Sequence, residues 1–206
     1  CELVVALEKI FGKDEILKLP FAKVLMGLDE KYTLVPNEFI HLVETENKLL
    51  SKCANTTIVF DNHASVLEIL NRFFQKPELL HLNSTFLHLL PEYLAGFAEK
   101  IFINVGKGYL DIIRFDNETK LQLMNRYEYQ TASDYIYFLL LCCEELKIDR
   151  EATELVLLGE VDIQSKIYDI CYHYFQSISF IKKPDNIYFS KLFDSYPKHL
   201  NFNLYN

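Results

Sequence analysis

The chain's 206 residues carry 21 Lys and Arg against 29 Asp and Glu, a formal net charge of −8, which argues against the clustered basic footprint that nucleic-acid binding needs. Half of the residues are hydrophobic. That suffices for a sizeable core in one large domain or two small ones and excludes a disordered chain. No apolar run reaches the roughly 18 residues of a spanning helix, the longest being Tyr135 to Cys143, so no membrane insertion is expected.

The five cysteines include no CxxC pair, and adjacent Cys142 and Cys143 in a predicted helix point about 100° apart. They read as reduced core thiols rather than zinc ligands or a disulfide framework, which suggests a cytoplasmic setting. Asn-x-Ser/Thr triplets at Asn55, Asn83 and Asn117 read as chance. The first residue is Cys1 and a helical pattern starts at once, so the expectation is that the natural polypeptide begins upstream.

Leu3, Val4, Leu7, Ile10 and Phe11 mark one face of a short helix ended by Gly12. Phe21 to Met26 reads as a strand and Tyr32 to Val35 as a second extended piece. Pro36 then opens a helix with Pro36, Phe39, Ile40 and Val43 on one face. Thr56 to Phe60 is a strand. Asp61 or Asn62 caps the helix that follows, whose stripe is Val66, Ile69, Leu70, Phe73 and Phe74. Glu78 to Leu82 is a short strand, and Ser84 caps a helix that Pro91 kinks or splits.

From Lys100 the pattern changes. Three short runs, Lys100 to Gly106, Tyr109 to Phe115 and Lys120 to Arg126, are joined by Gly106-Lys107-Gly108 and Asp116-Asn117, both turn chemistry. A helix from Thr131 to about Lys147 follows, with Thr131-x-x-Asp134 as a capping-box start. A strand from Glu154 to Leu158, a helix from Ile163 to Phe175 and a strand from Ile178 to Ile181 complete the series. Tyr188, Phe189, Leu192, Phe193 and Tyr196 suit a closing helix stopped by Pro197.

The order strand-strand-strand-helix-strand-helix-strand is that of a ribonuclease-H-like half-domain, the building block of actin-like ATPases. The first half repeats its helix-strand-helix-strand portion and lacks the opening strands, although no residue-level repeat is visible. The expected class is therefore α/β, an actin-like ATPase fold of two ribonuclease-H-like half-domains with mixed five-stranded sheets. Residues 1–96 form the first half-domain, incomplete at its start, and residues 97–206 the second.

Several runs together carry a resemblance. They are Tyr32-Thr33-Leu34-Val35-Pro36, His81 through Phe86, Ile103-Asn104-Val105-Gly106 with Gly108-Tyr109-Leu110-Asp111-Ile112, Asp134-Tyr135-Ile136-Tyr137 and Leu157-Leu158-Gly159-Glu160. In this order and spacing the chain resembles a bacterial family of unknown function with an actin-like ATPase fold, over nearly its whole length but without the family's usual leading hairpin. The resemblance implies the fold and a distant likeness to actin-like cytoplasmic proteins of secretion and pilus machines.

In working actin-like ATPases two glycine-containing hairpins grip the phosphates through backbone amides, while acidic side chains hold the metal and orient a water. The resemblance makes Asn104, Gly106, Lys107, Gly108, Asp111 and Gly159 the candidate nucleotide contacts. The acidic position at the start of the hairpin is Asn104, which has no charge to offer Mg²⁺. Glu160 stands where a second adenine-site glycine belongs, and the first phosphate hairpin is absent. The site reads as degenerate, with no catalytic residue and no metal ligand.

Other groups read as structural. Asp61 and His63 are two apart at a strand end, a helix cap plus a surface histidine rather than a metal pair. His81 and His88 lack an acidic third ligand. Glu144, Glu145 and Asp149 form a solvated acidic helix end. Tyr127, Tyr129, Tyr135, Tyr137, Tyr172 and Tyr174 cluster around the long helix, as core or as a docking patch. The expected function is a non-catalytic scaffold or adaptor with a protein partner and no required cofactor. The alternative is an ATP-binding protein or ATPase using Gly106 to Gly108, Asp111 and Gly159 with ATP and Mg²⁺. A ribonuclease-H-type nuclease would need several carboxylates converging on Mg²⁺, where Asp111 stands alone.

Overall fold

A computed structural model of the chain describes residues 2–21, 23–53, 55–96, 99–185, 191 and 195–204. It divides into two compact units, Cys1–Phe86 and Leu87–Asn206, where the sequence suggests a boundary between 96 and 97. Among the described residues no helix is long and apolar enough to cross a membrane.

The first unit opens with α1 (Glu2–Lys13) and β1 (Leu25–Leu28), the latter starting four residues later than the sequence suggests. An antiparallel group of three follows: β2 (Tyr32–Pro36), β3 (Lys48–Cys53) and β4 (Thr56–Asp61). β4 lies between the other two, and Thr56 to Phe60 are buried throughout because neighbours cover both faces. After α2 (Ala64–Phe73), β5 (Glu78–His81) pairs in parallel with β1. Leu7 of α1 and Val66, Ile69 and Leu70 of α2 close one core, with Phe11, Met26, Phe74 and Leu79 against it.

Three expectations for this unit are corrected. The helix proposed after Pro36 is a 3₁₀ turn, Asn37–Leu42, with no buried residue and Phe39 exposed, so it has no partner layer to stabilise a longer helix. β3 completes a sheet that the sequence reading lacks. The N-cap of α2 is His63, without a side-chain cap bond, whereas Asp61 pairs with Lys48.

The boundary between the units falls within α3 (Ser84–Leu89), and the second unit continues through a 3₁₀ turn, Leu90–Leu94, in which Pro91 ends the α-helix as expected. Its strands are β6 (Glu99–Gly106), β7 (Tyr109–Phe115), β8 (Leu121–Glu128), β9 (Thr153–Gly159) and β10 (Ser177–Phe180), with α4 (Ala132–Glu145) and α5 (Lys166–Tyr172) between them. The sheet order is β10-β9-β6-β7-β8. β6, β9 and β10 run parallel and the meander β6-β7-β8 antiparallel, which is the ribonuclease-H arrangement. This is the five-stranded mixed sheet expected from the sequence. In the first unit the described strands form a pair and a triplet instead. There the series α1-β1-α2-β5 repeats α4-β9-α5-β10, with the triplet inserted between β1 and α2.

Alternation decides the faces. Ile101, Ile103, Val105, Leu110, Ile112, Leu155 and Leu157 meet Tyr135, Ile136, Leu139, Cys142 and Cys143 of α4 and Cys171 of α5. The intervening residues of β6 and β7, Asn104 and Asp111 among them, therefore point to the opposite face. Of the tyrosine group, Tyr135 is fully buried while Tyr137, Tyr172 and Tyr174 are exposed. The expected closing helix between Tyr188 and Tyr196 lies almost wholly outside the described residues. α5 begins later than the sequence suggests, at Lys166, because Ser165 caps it by accepting the Tyr168 amide.

The capping box of α4 is present in full. Thr131 Oγ1 accepts the Asp134 amide at 3.2 Å, and the Asp134 carboxylate accepts the Thr131 amide at 2.9 Å and the Gln130 amide at 3.2 Å. These backbone donors hold the Asp134 carboxyl below the usual carboxylate range, since they favour its ionised form. A group so lowered contributes stability above the unfolded-state value, about 3.9, and loses it as pH falls through the folded-state value. Thr131→Ala should cost about 1 kcal/mol in denaturant unfolding at pH 7. Asp134→Asn should flatten the acid side of the stability profile.

Candidate functional site

The two-residue connection Lys107-Gly108 fixes the register of the β6–β7 hairpin. Gly108 alone of the pair takes a left-handed φ, +82°, the conformation glycine adopts without steric cost. Gly106 then faces Tyr109, and Asn104 faces Asp111. The β7–β8 register places Asp111 opposite Arg126. Asn104, Asp111 and Arg126 thus form one cross-strand row on the face away from α4 and α5.

Asp111 is completely buried. Arg126 donates to it from both Nε (2.7 Å to Oδ1) and Nη2 (3.1 Å to Oδ2), and Asn104 Nδ2 donates to Oδ2 at 2.9 Å. This is the fork-on-carboxylate geometry that arginine supplies best. The Arg126 guanidinium also lies 3.8 Å from the centroid of the Tyr109 ring. That ring covers Gly106 so closely that a Cβ there would sit 2.2 Å from it. Tyr129 fastens the turn, donating its hydroxyl to the Gly106 carbonyl at 3.1 Å and its amide to the Gly108 carbonyl at 3.0 Å. Burial, and then the nearby Glu160 carboxylate, push the Tyr129 phenol upward. Lys107 stands exposed at the tip.

Gly159 ends β9 beside this row. With φ +80°, it leaves no room for a side chain: a Cβ would meet the Val105 carbonyl oxygen at 2.2 Å and Asn104 Oδ1 at 2.7 Å. Its amide donates to the His199 carbonyl at 2.9 Å, and the Glu160 amide donates to the Val105 carbonyl at 2.7 Å. His199 in turn donates Nε2–H to the Val161 carbonyl at 2.7 Å. The strand exit is closed by the chain itself.

The structure therefore gathers Asn104, Gly106, Asp111 and Gly159 into one neighbourhood, with Lys107 and Gly108 at its edge. Sequence reasoning missed Arg126, Tyr109 and His199. The two-residue turn made the Asn104–Asp111 pairing readable, but Arg126 required the register across the longer Asp116–Lys120 turn. There Asp116 Oδ1 accepts the Glu118 and Lys120 amides, and a bulge falls at Arg114/Phe115. Elsewhere Asp61 and His63 turn to different partners, Lys48 and Glu30. Ser84 donates its hydroxyl to the His81 carbonyl at 2.6 Å. Among the described residues no three His, Cys, Asp or Glu side chains converge as a metal-binding group. Burial pushes the thiols of Cys53 and Cys143 up to about 11 and that of Cys171 to about 12, so none is a thiolate nucleophile at neutral pH.

Residues 1–178 match the model of a family described as a protein of unknown function, DUF3822. A crystal structure from Bacteroides thetaiotaomicron VPI-5482, described as a protein with actin-like ATPase fold and unknown function, is similar with a TM-score of 0.69 and 22% identity. The match covers 87% of this chain and 76% of that one. A filament of AlfA bound to AMPPNP is more distant, at a TM-score of 0.45 and 13% identity over 98% of this chain and 64% of that one. No curated protein matches the sequence. The expected fold stands: the chain has the actin-like ATPase fold.

Removing one partner of a buried ion pair strands the other. Arg126→Met should destabilise the protein by about 3–5 kcal/mol in denaturant unfolding. Adding Asp111→Asn to that variant should recover most of the loss, because an amide needs no counter-charge. Equal losses in the single and double variants would contradict the pairing. Gly159→Ala, strained both by φ and by the Val105 carbonyl, should cost about 1–3 kcal/mol.

Proposed function

The chain belongs to the DUF3822 family of unknown function, and within its actin-like fold we propose that it serves as a non-catalytic scaffold or adaptor with a degenerate nucleotide site. The observation that carries this reading is the condition of Asp111. Mg²⁺ needs oxygen ligands free to bind it directly or through its waters. Here the Asp111 carboxylate, on the strand that follows the candidate phosphate hairpin, is wholly buried, held by both arms of Arg126 and by Asn104.

Two further features support it. The backbone against which an adenine ring would lie is already engaged, the amides of Gly159 and Glu160 being bonded to the carbonyls of His199 and Val105. The Tyr109 ring lies over Gly106 where a phosphate would need close approach to the backbone. A fold kept without its chemistry offers a rigid surface, so the expected ligand is another protein rather than a nucleotide. The buried thiols of Cys142, Cys143 and Cys171, none of them in a disulfide, favour a reducing, cytoplasmic setting in a bacterial cell.

Thermal unfolding with and without millimolar Mg-ATP tests the reading. A ligand at a hundred times its dissociation constant adds about 2.7 kcal/mol to stability. No shift and no phosphate release are expected. A clear shift accompanied by phosphate release would make the protein an ATPase and overturn the scaffold reading.

A further inference from the structure

His81, the last residue of β5, is wholly buried, and two hydrogen bonds fix the position of its proton. The Asn83 amide donates to Nδ1 at 3.1 Å, so Nδ1 carries no hydrogen. Nε2 donates to the Glu30 carbonyl at 3.0 Å. The ring is therefore the neutral Nε2–H tautomer.

Its neighbours belong to several elements of the first unit. The rings of Tyr32 on β2 and Phe60 on β4 lie 4.7 and 5.5 Å from the imidazole. The His81 amide donates to Ser51 Oγ on β3 at 3.4 Å, and its carbonyl accepts the Ser84 hydroxyl. Through this residue the parallel pair β1–β5 meets all three strands of the antiparallel sheet. The titratable groups around it include Tyr32 and Glu30, and Glu30 directs its carboxylate to His63 at the head of α2. Ser51, Phe60, Asn83 and Ser84 also line the ring and carry no charge.

A second proton on this ring would set Nδ1–H against the Asn83 N–H, two donors facing each other in a buried site. We propose that His81 is a proton-operated catch: neutral, it latches the β1–β5 pair to the β2-β4-β3 sheet, and protonated, it releases them. The open form binds a proton that the latched form refuses. Latching is therefore favoured above the ordinary imidazole range, about 6.5, and is lost as pH falls below it.

Hydrogen exchange of the full chain between pH 7.5 and 5.5 tests the catch. With one linked proton, protection at the His81 and Asn83 amides, which donate to Ser51 on the other sheet and to the His81 ring, should fall about tenfold per pH unit below the imidazole range. The β6–β9 ladder of the second unit should keep its protection. His81→Gln, whose amide oxygen still accepts the Asn83 N–H, should abolish the dependence, while His63→Gln should preserve it. Should His81→Gln fail to fold, ring resonances of the natural protein decide, because His81 must titrate in step with the loss of protection. Constant protection, a dependence that survives in His81→Gln or disappears in His63→Gln, or a ring that stays neutral while protection falls, would each overturn the proposal.

Discussion

A carboxylate taken fully out of water must be compensated, and in the second unit that demand falls on Asp111. The cost of burying an isolated charge is far larger than a single domain's stability margin. Arg126 and Asn104 meet it, and they do so from strands on either side, so the pair also fixes the register of the meander. The Tyr109 ring beneath Arg126, the covered Gly106 and the tight seat of Gly159 are further parts of the same arrangement. A polar row of this kind compensates its buried charge from within the sheet.

The second unit was the more legible half because local chemistry and burial agree there. Gly108 supplies the left-handed turn residue, and β6 and β7, covered on both faces, stand out as short strand-like runs on either side of it. β3 was not legible for a physical reason: along Lys48 to Cys53 the sheet exposes Leu50 and half-buries Ser51. That inverts the alternation by which strands are recognised. The stretch after Pro36 misled in the other direction, since Phe39, Ile40 and Val43 have helical spacing but no layer to pack against.

The candidate site was legible in its residues and not in its state. Asn104 already signalled a missing charge. That Asp111 is also occupied depends on a long-range pairing with Arg126, fifteen residues away, and the blocked amide of Gly159 on His199, forty residues away. Sequence spacing fixes neighbours across a two-residue turn. It does not count across a bulge or identify which distant carbonyl will close a strand end.

The bond from the Gly159 amide to His199 has a consequence for how the protein is delimited. The stretch shared with the family stops at residue 178, whereas the cover on β9 comes from twenty-one residues beyond it. A polypeptide trimmed to the shared stretch would also lose part of β10, and with it a parallel neighbour of β9. The span that evolution recognises as common and the span that shuts this sheet are different lengths.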